Sequence, residues 1–320
     1  MNYTRVFIIS ICLICCLLIP SWSESNQPFA AETAKHSLNP SLKYPDLESF
    51  QKAIGQPAIL LKSDHIYFFA PKVYEAESNI IFPYLIRAYN ALKKIVGVDT
   101  EYIIVVYTFP KGHKDAFGGT SNCTLWYDDS NLQLNNFEEW KRYRVPHVSG
   151  YIEEIAHNFV SGTKAQFGWE MVGWSIGIKV SNEVAGNPYF AEQVLQTRRE
   201  QQKTFERYLT HGFTFPSDIE SNLVDRIHAE LLWQSEKKYG STFYQDFFTE
   251  IRKQKKELDD AIVLSKGDDI RNKRYQITLD CFDRLPGLKF KQMLEQNGIS
   301  MTVDIKSLHP TDPGWNRKLR

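Results

Sequence analysis

The character of the chain changes at Pro146, and this change limits the architecture more than any other feature. Before it, short apolar runs rich in β-branched residues alternate with helical stretches; after it, nearly every segment repeats its apolar residues at helical spacing. Such an order constrains the chain to an α+β class: a small mixed sheet, one helix entering from Pro146, and a mainly helical C-terminal subdomain.

The first half reads element by element. Asp46 precedes Leu47 to Ile54 as an acidic start to a short helix. Ala58 to Leu61 and Ile66 to Phe69 are short strands separated by Lys62-Ser63-Asp64-His65. Ile81, Tyr84, Leu85, Ala88, Tyr89, Leu92 and Ile95 fall on one helical stripe, and Gly97 is placed to stop it. Tyr102 to Tyr107 is a continuous β-branched run, the pattern of a strand buried on both faces. A loop with Gly112, Gly118 and Gly119 follows, and Cys123 to Tyr127 is expected to form the edge strand. Beyond Pro146, helices are expected over about 147–161, 169–184, 188–210, 217–238, 241–254 and 268–297.

Charge excludes some partners. Lys plus Arg equals Asp plus Glu at 38 each, so no net field favours nucleic acid or an anionic membrane. No basic cluster interleaved with aromatics reopens that question. At the N-terminus, Arg5 precedes an apolar run from Val6 to Ile19, then Pro20 and the small-x-small stretch Ser21-Trp22-Ser23. That is the pattern of a secretory signal peptide, and the run is shorter than the roughly 20 residues of a spanning helix. The chain is therefore expected to be exported, without an integral membrane segment beyond the leader. Residues 1–23 read as the signal peptide, 24–45 as a linker, 46–145 as the α+β subdomain, 146–305 as the helical subdomain and 306–320 as a tail. Outside the leader only Cys123 and Cys281 remain. Two cysteines permit one disulfide but cannot build a thiolate zinc site.

The chemistry-bearing stretch is Gly150-Tyr151-Ile152-Glu153-Glu154-Ile155-Ala156-His157. In H-E-x-x-H, two imidazoles one helical turn apart hold zinc while the Glu acts as general base. Here Glu154 occupies the base position and His157 the second ligand position, but Glu153 replaces the first histidine. A catalytic zinc needs three protein ligands and an open water position.

The order strand, helix, strand, edge strand, motif helix, second helix and helical half resembles the gluzincin metallopeptidases of the peptidase MA-like superfamily. The second helix of that family commonly reads W-x-x-E-G-x-A, its Glu being the third ligand. Trp169, Gly173 and Ser175 match this pattern, whereas Val172 stands at the ligand position. Ile227 to Trp233, Glu236 to Gly240 and Tyr275 to Ser300 resemble later helices of these enzymes, so the likeness spans about 60–305. It implies a zincin-like fold with two of three zinc ligands replaced. Glu170 lies about 200° around the helix from 172, and Glu183 lies about 16 Å along it. His147 is off the 153/157 face by the same reckoning, about 280° around from His157. His113, Asp115 and His211 remain as loop candidates for a third ligand. Three functions follow from the pattern. One is a catalytically degenerate zincin that binds a peptide, protein or other ligand in the inherited cleft. Another is an active metal-dependent hydrolase with Glu154 as base and Glu153 and His157 on the metal, zinc being the candidate. The third is a structural envelope or surface protein. No organic cofactor is implied, and oligomeric state is not encoded in the pattern.

Overall fold

The protein was analysed as a computed structural model, which describes residues 37–165, 173–185, 232, 235–265 and 268–285. These belong to one compact unit. The class is α+β: a mixed five-stranded sheet with helices on both faces.

Helix α1 (Leu47–Ile54) starts at Asp46, whose side chain accepts the Ser49 N–H while Ser49 returns the bond, a reciprocal cap. Strands β1 (Ala58–Lys62) and β2 (Ile66–Pro71) form an antiparallel pair. Helix α2 (Glu75–Val96) then crosses over to β3 (Ile104–Phe109), which pairs parallel with β2. Gly97 ends α2 at φ 73°, its N–H bonded to Lys93 O at 2.8 Å, and the guanidinium of Arg252 bonds Val96 O nearby. The expected stripe from Ile81 to Ile95 is the buried face of α2, with Tyr84 at its margin.

Strands β4 (Gly119–Ser121) and β5 (Thr124–Asp128) complete the sheet in the order β1-β2-β3-β5-β4. This corrects the expectation for Cys123 to Tyr127. β5 is an inner strand, parallel to β3 on one side and antiparallel to β4 on the other. The edge is β4, built from residues that read as a glycine loop. The reversal is a two-residue turn: Asn122 and Cys123 both have positive φ, 47° and 61°. That geometry matches the twist of a tight hairpin.

Alternation along β3 shows the layering. Ile104 and Val106 face the large core with Phe68, Leu125, α2 and the later helices. Val105, Tyr107 and Phe109 face a second core with Phe50 and Phe69. Burying each such side chain contributes about 1.5–3 kcal/mol. The second core also includes Tyr44, from a segment that reads as linker. Its hydroxyl bonds Asp115, and its carbonyl accepts the Tyr107 hydroxyl.

After α3 (Glu138–Tyr143) comes the motif helix α4 (Ser149–Gly162), then a π-helical turn (Gly173–Gly177) running into α5 (Ile178–Ala185). Helices α6 (Phe243–Lys253), α7 (Lys255–Leu264) and α8 (Asp268–Arg284) follow. The expected helix at 188–210, most of that at 217–238 and the part of 268–297 beyond 285 lie outside the described residues. Both cysteines are free and buried, so Cys123 and Cys281 form no disulfide. Among the described residues no helix is long and apolar enough to cross a membrane.

Candidate functional site

Helix α4 is held at both ends. Arg144 turns the chain out of α3 at φ 56°, and His147 then fastens the approach. His147 Nδ1 lies 2.7 Å from Glu139 Oε1, and its ring stacks on Phe137 at 4.3 Å. At the far end Lys164 adopts φ 62°, and Arg274 of α8 donates to Lys164 O at 2.6 Å and Ala165 O at 3.2 Å.

Glu153, Glu154 and His157 lie together on α4, as their spacing requires. Glu153 and Glu154 are half-buried, whereas His157 is only 5 % exposed. Two close approaches frame the pair of carboxylates. Gly119 of β4 lies beside Glu154: a Cβ there would sit 4.0 Å from Glu154 Oε1 and 3.1 Å from the Phe117 ring. Gly177 of the π-turn lies against Glu153, and a Cβ on it would come within 2.9 Å of Glu153 Cα. The motif helix is thus covered by the sheet edge at one carboxylate and by the second helical segment at the other.

Asn158, which sequence reasoning missed, joins these layers. Its Oδ1 accepts the Cys123 N–H at 2.9 Å; its Nδ2 donates to Thr120 Oγ1 at 2.7 Å and Glu154 O at 2.8 Å. The one signal in the sequence was an amide directly after His157, on a helix otherwise apolar there. Tyr127 was also missed. Its hydroxyl donates to Gly150 O at 2.8 Å. Burial first, and then the negative charge of Glu154 and Glu153, push its phenol far above the ordinary range, so it remains a donor.

Among the described residues, the candidate third ligands do not converge on His157. His113 stacks on Phe109 at 4.5 Å, with Nε2 3.3 Å from Ala53 O, on the α1 side of the sheet. Asp115 is bound there by Lys43 at 2.7 Å and by Tyr44. Burial opposes its ionisation, but those bonds outweigh it and hold the carboxyl below its ordinary range. Glu183 is exposed and pairs with Lys179 at 3.0 Å; Lys179 also pairs with Glu236 at 2.5 Å. Glu170, Val172, His211, His228 and Glu230 lie outside the described residues. His147 is committed to Glu139 and precedes the helix. Among the described residues no three His, Cys, Asp or Glu side chains gather where they could hold a metal ion. Two half-buried carboxylates and one almost wholly buried imidazole do not supply the three-ligand open site of a catalytic zinc. Among the described residues no third ligand joins this set; Glu154 lies beside the strand edge and Glu153 against the π-helical turn.

Comparison with protein-family models, curated proteins and solved structures finds no match to this chain.

Proposed function

We propose that this chain is an exported, zincin-like protein whose catalytic site is degenerate, and that it binds an extended peptide or a similar ligand where β4 meets α4. The observation that carries this reading is the placement of Glu154 beside Gly119 of the sheet edge, on a helix that also carries Glu153 and His157. Further support comes from the element order: β2, α2, β3, a short antiparallel edge strand, the motif helix and a second helical segment packed on it at Gly177. That order is what the gluzincin resemblance implies. An exposed edge offers unpaired backbone groups to an extended partner.

Metal content tests the reading. Purified after growth with added zinc, the wild type is expected to hold far less than one zinc per chain, with a melting temperature insensitive to zinc or chelator. Stoichiometric zinc that disappears in His157→Ala would sink the proposal in favour of a metal-dependent hydrolase using Glu154 as base. The double substitution Glu153→His with Val172→Glu is expected to gain zinc binding; no gain would remove the zincin geometry itself. Export is checked by the N-terminal sequence of the extracellular or periplasmic protein, expected to begin close after Ser23.

A further inference from the structure

Gly119 leaves a notch in the edge strand β4, and the notch has two unlike walls. A Cβ at this position would find as its nearest neighbours two carbons of the Phe117 ring, at 3.1 and 3.4 Å, and Glu154 Oε1 at 4.0 Å. The third nearest atom is already 4.0 Å away, so past the ring the space is open. Phe117 is 57 % exposed, yet the loop that carries it is fastened at several points. Gly118 N–H donates to Trp126 O at 2.8 Å, Ala116 N–H to His113 O at 3.0 Å, and Lys43 binds Asp115 at 2.7 Å. The Phe117 ring itself stacks on Trp126 at 6.1 Å. An exposed ring already held in place loses little further freedom when a ligand covers it.

An extended segment added to β4 sets one residue opposite Gly119, its side chain on the same face of the sheet. Its Cβ then stands about 4.5–5.5 Å from the place of the missing one, and Gly119 puts nothing in its way. To fill the notch, that side chain needs an apolar stem for the ring and a positive head for the carboxylate. Lys and Arg have this build, and a cation near an aromatic face is itself attracted to it. An ionised carboxylate accepts several hydrogen bonds, so Glu154 can take such a head in addition to its neighbours in the protein. Resting on the peptide-binding reading above, we propose that the extended ligand carries Lys or Arg opposite Gly119, with its stem against Phe117 and its cationic head at Glu154.

The test selects random linear peptides, displayed on phage, against the full chain. Enrichment of sequences with Lys or Arg at one fixed place is expected. A synthetic peptide of the enriched sequence is expected to bind Glu154→Gln about tenfold more weakly, the loss of a charge-assisted bond. Its affinity for Phe117→Ala is expected to fall several-fold, and selection on Glu154→Lys should turn the preference to Asp or Glu. Enriched peptides with no basic preference would overturn this inference and leave the peptide-binding reading standing. Basic peptides that bind Glu154→Gln and Phe117→Ala as tightly as the wild type would also overturn it, since they sit elsewhere. No enrichment at all would remove the reading and the inference together. Phe117 is largely exposed, so its variant decides the matter if a change at half-buried Glu154 unfolds the chain.

Discussion

At the scale of single residues, Gly177 has little room for change. A methyl there would meet the backbone of Glu153 rather than the tip of a flexible side chain, so one helical segment has to move. Gly177→Ala is expected to cost about 1–3 kcal/mol, the usual penalty for overpacking, read as a lower midpoint in urea. Glu139 is the titratable counterpart. Burial pushes its carboxyl up, but the hydrogen bond and charge of His147 together with a bond from its own backbone N–H outweigh this and leave it below its ordinary value of 4.5. A folded-state value below the unfolded one stabilises the fold above pH 4.5, and this contribution disappears as pH falls through the lowered value. The stability difference between wild type and His147→Ala is therefore expected to be full near neutrality and to shrink below pH 4.5. A difference that stays flat down to pH 3 would show that the pair contributes nothing through ionisation.

At the scale of elements, the hairpin β4–β5 depends on α4 more than on its own turn. Asn158 caps the turn N–H and grips Thr120, both buried, so its loss strands polar groups away from water. Asn158→Ala is expected to destabilise by about 1–3 kcal/mol per stranded group. Asn158→Asp keeps the acceptor for Cys123 but sets a carboxylate against the Glu154 carbonyl. The alanine variant should restore little with any change of pH, whereas the aspartate variant should recover as acid neutralises it; thermal melts across pH separate them. This hairpin also shows why some elements were not legible in sequence. β4 is three residues long, too short for any period, and its extended form comes from pairing with β5. Likewise α7 buries only Leu258 and Ala261, and the i,i+4 pairs Lys255–Asp259 and Lys256–Asp260 run along its polar surface. By contrast α2, α4 and β3 were legible because their apolar spacing or β-branched runs match the faces they bury. Within the site, the positions of Glu153, Glu154 and His157 followed from helical spacing, but Gly119, Tyr127 and Asn158 come from distant contacts that spacing does not encode.

At the scale of the whole molecule, the large core joins the sheet to the C-terminal helices. Cys123 and Cys281 belong to the same buried cluster although one lies in the hairpin turn and the other in α8. Burial raises both thiols, that of Cys281 to about 12, so neither presents a thiolate in the folded state. Pulse labelling with a thiol reagent through a urea titration is expected to modify both at one midpoint, as a single cooperative unit requires. Two separated midpoints would show that the sheet and the helical half unfold independently.

The sheet order has a kinetic consequence. β1–β2 and β4–β5 are joined by short turns, and such hairpins close in about 1–10 μs. The two central joints, β2–β3 and β3–β5, are parallel, and β2 meets β3 only after the 22 residues of α2 have crossed over. Non-local pairing of this kind is slow, since the loop must close before its contacts reward it. Two preformed hairpins would wait for β3, the strand buried along its whole length, and until it docks each would expose one unpaired inner edge. The interval before β3 inserts is therefore when this chain is most prone to pair with other chains, and when a chaperone would find most to hold.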